Sequence, residues 1–156
     1  MQYFVTGATG FIGKRLVKKL LERKGAVVHF LIREESADKV ADLRSFWGVG
    51  PARAVPVFGD LTAKKLGVAA DDVKKLKGQI DHFYHLAAVY DLAADEETQV
   101  AVNIEGTRNT VDLAKAIDAG HHNIGNDDIR AVAVQRVGRL RGVCAADRLV
   151  TGGAQA

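Results

Sequence analysis

A doubly wound parallel α/β sheet is the fold class the sequence predicts, and three observations predict it. The apolar run Tyr3-Phe4-Val5 leads through a glycine-rich turn into an amphipathic stretch from Lys14 to Lys24. Ala26 to Ile32 is apolar throughout except for His29, and strand-like segments alternate with helix-like ones from residue 2 to residue 120. Parallel strands need crossover helices, and strands covered on both faces read as unbroken apolar runs.

The first turn, Thr6-Gly7-Ala8-Thr9-Gly10-Phe11-Ile12-Gly13, has the spacing G-x-x-G-x-x-G between a strand and a helix. A dinucleotide's pyrophosphate needs converging backbone amides with no side chain in the way, and a helix N-terminus adds a favourable dipole. Gly7 permits the tight turn, Gly10 the close phosphate approach, and Gly13 the close packing of helix on strand. Within the helix, Ile12, Leu16 and Leu20 with Val17 and Leu21 form one apolar stripe, and Gly25 is its expected stop. Residues 2 to 32 read as one βαβ unit.

Arg33-Glu34-Glu35-Ser36 is then a polar connection, with Ser36 the expected N-cap of a helix carrying Val40, Leu43, Phe46 and Trp47 and ending at Gly48-Val49-Gly50-Pro51. Arg53 to Phe58 reads as a third strand, and Pro56 places it at an outer position because proline cannot donate to a ladder. Gly59-Asp60-Leu61-Thr62 follows, then a polar connection with a short helix from Asp71 to Lys77 before Gly78. Ile80 to Leu86 is the fourth strand and leads into Ala87-Ala88-Val89. A long helix runs from about Asp95 to Ala119, with Val100, Ile104, Thr107, Val111, Ala114 and Ile117 three or four apart and Gly120 closing the pattern.

With 156 residues, 47% hydrophobic and 26% charged, the chain has room for one domain with a real core. The first strand follows Met1 almost at once and no apolar run approaches membrane-spanning length, so a cytoplasmic protein with no membrane partner is expected. Cys144 is the sole cysteine, which excludes an intrachain disulfide. His82, His121 and His122 lack ligand spacing, so no metal is expected. A net charge of +3 suits an anionic cofactor without identifying one.

Thr-Gly-Ala-Thr-Gly-Phe-Ile-Gly resembles the phosphate-binding loop of the extended short-chain dehydrogenase/reductase family, whose members bind NAD or NADP on a Rossmann-type sheet. The resemblance implies that Gly7, Thr9, Gly10, Phe11, Ile12 and Gly13 contact the cofactor. Gly59-Asp60-Leu61 resembles the family's adenine turn, in which the Asp60 carboxylate would approach the base amino group and the Leu61 amide a ring nitrogen. His85-Leu86-Ala87-Ala88 resembles the segment where Leu86, Ala87 and Ala88 would let the backbone approach the ribose and nicotinamide side, His85 itself being structural. Asn103-Ile104-Glu105-Gly106-Thr107 resembles the N-x-x-G-T of the long helix, whose asparagine helps organise the active site and whose glycine allows close packing. The end of the second strand selects between cofactors, since an acid there accepts a ribose 2′-hydroxyl and an arginine pairs with a 2′-phosphate. Arg33 favours NADP over NAD, against the competing Glu34 and Glu35. Together these segments look most like the branch containing acyl-thioester and fatty acyl reductases. Sugar-nucleotide epimerases, dehydratases and hydroxysteroid dehydrogenases share nearly the same fingerprints.

Catalysis in that family uses a tyrosine with a lysine four positions later and a serine or threonine after the fifth strand. Four positions beyond Tyr3, Tyr84 and Tyr90 stand Gly7, Ala88 and Ala94, and the only serines are Ser36 and Ser45. No catalytic residue is assigned. Residues 1–120 therefore read as the dinucleotide-binding domain and 121–156 as an atypical tail, whose basic residues Arg130, Arg136, Arg139, Arg141 and Arg148 include no lysine. That shift predicts a changed reading frame or aberrant junction after about residue 120, which resequencing the coding DNA would test. The sheet would then be incomplete on its C-terminal side, with an open edge inviting self-association. No aromatic residue interleaves with the tail arginines, so nucleic acid is not an expected partner. Two readings result: an NADP-linked oxidoreductase acting on a carbonyl or thioester, with the substrate undetermined, and a non-catalytic dinucleotide-binding module. The second is preferred for this chain.

Overall fold

The computed structural model describes residues 1–88 and 96–118, without the side chains of 96–99, 101 and 118. Four parallel strands, β1 (Gln2–Thr6), β2 (Val27–Ile32), β3 (Ala54–Phe58) and β4 (His82–His85), form one sheet in the order β3-β2-β1-β4. The helices are α1 (Phe11–Leu21), α2 (Lys39–Trp47), α3 (Ala70–Leu76) and α4 (Glu96–Asp118). This is the predicted Rossmann-type architecture, with the Pro56 strand β3 on the outside.

Alternation along β1 divides the core. Tyr3 and Val5 pack with Val17, Leu20, Phe30, Val40 and Trp47 on the α1/α2 side. Phe4 packs with Val57, Leu66, Leu76, Leu113 and Ile117 on the α3/α4 side. Aromatic contacts reinforce each layer: Trp47 meets Phe30 edge-on at 5.2 Å between centroids, and Phe4 stacks on Phe83 at 4.7 Å. Trp47 also donates its Nε1–H to the Lys14 carbonyl at 3.0 Å, which ties α2 to α1.

Several local expectations change. Helix α1 stops at Leu21 rather than near Lys24 and Gly25, because the Arg53 guanidinium binds the carbonyls of Leu21 (2.6 Å) and Arg23 (2.9 Å) just past its end. Arg53 precedes β3 rather than opening it, and its Nε bonds the Ala26 carbonyl at 3.0 Å. Ser36 does not cap α2. It lies buried in a 3-10 turn, Glu34–Ser36, with its amide on the Arg33 carbonyl, and the backbone stays helical through Ala37 and Asp38, whereas an N-cap needs an extended conformation.

The apolar stripes are also shifted. Ile12 is 68% exposed, so the buried face of α1 begins at Gly13 and Val17. In α4 the residues facing the core are Gly106, Asn109, Thr110, Leu113, Ala114 and Ile117, while Val100, Ile104 and Thr107 are exposed. Two buried polar side chains, Asn109 and Thr110, rotate the inner face away from the spacing that hydrophobicity alone suggests. Val89, Tyr90, Asp95, Ala119, Gly120 and the tail 121–156 lie outside the described residues.

Candidate functional site

In a parallel sheet all strands end on the same side, and the register sets Thr6 beside His85 and Ile32 beside Phe58. Chain order reverses across β1, between β2 and β4, which is where ligands bind in open α/β sheets. The glycine loop after β1 fills the mouth of this crevice. Gly7 has φ +74°, and a Cβ there would stand 2.6 Å from the Ala87 nitrogen and 2.7 Å from the Leu86 carbonyl carbon. The loop after β1 thus lies directly on the backbone after β4. At Gly13 a Cβ would stand 2.0 Å from the Gly7 carbonyl oxygen, so this glycine lets α1 fold back onto its own loop rather than onto the strand.

Gly10 differs. A Cβ there would meet only the Gly7 oxygen at 3.4 Å, which is ordinary contact, so its outer side is open. Thr9, Phe11 and Ile12 beside it are exposed. Gly10 precedes α1 and has no side chain to cap it, and the first helical bond runs from the Lys14 amide to the Gly10 carbonyl at 2.9 Å. The amides of Phe11, Ile12 and Gly13 therefore open the helix without an intrahelical acceptor. The first turn holds no acidic residue, while Arg15 stacks 3.7 Å over the Phe11 ring. These features fit an anion such as a pyrophosphate, placed where a Cβ at Gly10 would intrude.

A polar cluster beneath the loop fixes the segment after β4. The fully buried Thr6 Oγ1 accepts the amides of Leu86 (3.2 Å) and Ala87 (3.3 Å), which leaves its proton for His85 Nδ1 at 2.7 Å. His85 then carries its proton on Nε2, facing Thr107 Oγ1 at 3.4 Å. Thr107 and Thr110 donate to the carbonyls of Asn103 and Gly106, each at 2.8 Å, which agrees with that assignment. Burial holds the His85 pKa below its ordinary value, so the ring is neutral in this role.

At the far side, Asp60 Oδ1 accepts the Thr62 amide at 2.7 Å and the Thr62 hydroxyl. The hydroxyl bond first, then the amide bond and then the nearby Arg33 charge hold the Asp60 carboxyl below its ordinary pKa. Arg33 pairs with Glu35 at 3.0 Å, both largely exposed. Leu61 packs on Gly106 and gives its carbonyl to Asn109. The end of the sheet thus gathers Gly7 to Gly13, Arg33, Asp60, Leu61, Leu86, Ala87 and Ala88, and on α4 the Asn103 carbonyl accepts the Thr107 hydroxyl that faces His85. Sequence reasoning missed Thr6, Thr110 and Asn109, whose one signal was polarity at strand-end or inner-helix positions. Among the described residues no group of three His, Cys, Asp or Glu side chains could hold a metal, and no helix is long and apolar enough to cross a membrane.

A family profile described as Male sterility protein, an NAD-binding family, matches residues 5–124. The chain is 27% identical over 128 residues to Fatty acyl-CoA reductase wat of Drosophila melanogaster, covering 73% of this chain and 25% of that protein. The crystal structure of the terminal R domain from the myxalamid PKS-NRPS biosynthetic pathway superposes with TM-score 0.60 at 30% identity, covering 72% of this chain and 31% of that one. UDP-glucuronic acid 4-epimerase from Bacillus cereus, solved in complex with NAD, gives TM-score 0.51 at 28% identity over 74% of this chain and 35% of that one. The chain spans about a third or less of each. It belongs to the Male sterility protein family of NAD(P)-binding reductases, a fatty acyl reductase-like branch of the extended short-chain dehydrogenases/reductases.

Proposed function

We propose that residues 1–120 form the NADP(H)-binding part of an acyl-thioester or fatty acyl reductase, and that this chain by itself binds the dinucleotide without turning it over. The observation that carries this reading is the open side of Gly10 above the uncapped first turn of α1. Pyrophosphate would sit there, the adenine against Asp60 and the Leu61 amide, and the nicotinamide half toward Leu86, Ala87 and Ala88. When bound, the cofactor supplies a hydride for a carbonyl or thioester carbon.

Arg33 supports NADP over NAD. Its pair with Glu35 is 62% and 68% exposed, and such pairs contribute little, so a 2′-phosphate dianion can replace the glutamate as the arginine's partner. Binding without turnover is supported by the residues that the family's acid/base chemistry needs, since no tyrosine here is followed four positions later by lysine. Titrating the purified chain with NADPH and NADH tests both points. NADPH should bind about tenfold more tightly, the worth of one charge-assisted contact, and Arg33→Ala should remove the difference. Long-chain acyl-CoA and aldehydes should leave NADPH unoxidised. Equal or tighter NADH binding overturns the NADP assignment, and turnover above background overturns the module reading.

A further inference from the structure

We propose that Asn109 is a positioning residue for the adenine turn, acting through Leu61; this rests on the cofactor reading above. Asn109 is 3% exposed on the inner face of α4, and its Nδ2 donates to the Leu61 carbonyl at 3.1 Å. One turn earlier Gly106 makes room for the Leu61 side chain, whose Cγ would lie 2.6 Å from a Cβ at that position. Helix α4 therefore grips Leu61 twice, once by its carbonyl and once by its side chain. The two groups assigned to the adenine, the Asp60 carboxylate and the Leu61 amide, belong to the same short segment.

The segment is held from its other side as well. Asp60 donates its amide to the Leu66 carbonyl at 2.8 Å, in a turn where Lys65 and Leu66 have φ of +51° and +59°. That left-handed backbone is unfavourable for side-chain-bearing residues, and the fully buried Leu66 side chain pins it. A carboxamide at 109 has a chemical reason. The Leu61 carbonyl needs an N–H donor, and a polar group buried on a helix face destabilises the fold unless it is bonded. Other residues of the same helix, Thr107 and Thr110, approach His85 and the segment after β4. The two ends of the cofactor site thus have separate anchors on α4.

Asn109→Leu and Gly106→Ala in the full chain disturb the Leu61 grip by independent routes. ADP carries the adenine and pyrophosphate, and reduced nicotinamide mononucleotide carries the other half of the cofactor. Each variant should weaken ADP binding about tenfold, the equivalent of one lost hydrogen bond, and change reduced nicotinamide mononucleotide binding by less than about twofold. Amide hydrogen exchange should quicken at Asp60 and Thr62 and stay unchanged at Ala87. Alanine favours a helix over glycine, so weaker ADP binding by Gly106→Ala cannot come from a melted α4. Equal losses for both ligands, or unchanged ADP affinity, overturn the proposal. Unchanged exchange at Asp60 and Thr62 overturns it whatever the chain binds. Quickened exchange in a chain that binds no ADP even as wild type instead overturns the cofactor reading and leaves the grip on Leu61 standing.

Discussion

The loop after β1 and the turn after β3 lie at the same end of the sheet and are held by different balances of backbone and side-chain contact. The first is locked by backbone against backbone, Gly7 on Leu86 and Ala87 and Gly13 on Gly7, with no room for a side chain. The second has a backbone contact of its own, Gly59 and the Asp60 amide against the Leu66 carbonyl, but adds side chains that the first turn's glycines lack: Thr62 on Asp60, Asn109 on the Leu61 carbonyl, the Leu61 side chain on Gly106, and the buried Leu66 behind them. Backbone locking can be read from glycine spacing, because only one residue type permits it. Side-chain locking cannot, because many residue types could serve and a partner such as Asn109 lies far in sequence from the Leu61 it holds.

The largest expected effect breaks the backbone lock. In Gly13→Ala the new Cβ would stand 2.0 Å from the Gly7 oxygen, and neither backbone can yield without opening the loop. We expect a loss of about 3 kcal/mol of stability, at the upper end for overpacking, together with loss of NADPH binding. A urea midpoint within experimental error of the wild type would show that the loop is not locked in this way.

Gly10→Ala sharpens the comparison by separating folding from binding. Its Cβ makes only ordinary contact, so stability should change by less than about 0.5 kcal/mol, while NADPH affinity falls about tenfold as the methyl enters the phosphate position. Parallel unfolding and binding titrations would decide, and intact affinity would move the pyrophosphate away from Gly10.

The smallest effect is a pH slope from the cluster beneath the glycine loop. Burial lowers the His85 pKa from 6.5, so the unfolded chain takes up this proton first as pH falls. The stability tied to neutral His85 is complete above pH 6.5 and is lost as pH drops toward the folded-state value. His29, lowered by burial as well, adds a slope of the same sign. His85→Asn keeps an acceptor near the Nδ1 position for the Thr6 hydroxyl and cannot titrate. Its urea midpoints should therefore fall less than the wild type's between about pH 7 and pH 5. An unchanged slope would remove His85 from this account.

The fold was legible because its signals are local and periodic: an apolar β1, the glycine turn, an unbroken β2 and a proline in the outer strand. Boundaries were less so. Arg53 ended α1 from across the chain, and a helical run through Ala37 and Asp38 took Ser36 out of the capping position. The α4 stripe misread had the same origin, since the inner face admits Asn109 and Thr110 once the carbonyl of Leu61 and the ring of His85 lie opposite them.

By itself the sequence determined the parallel α/β order and the strand, glycine turn and helix at its start, because glycine spacing and strand periodicity depend on backbone sterics alone. Only the tertiary structure decided which face of α4 turns inward, which glycine has an open side and which polar side chains hold the two turns at that end of the sheet. Those outcomes depend on which distant groups meet when the helices close over the sheet, and on the cost of leaving a buried polar group without a partner.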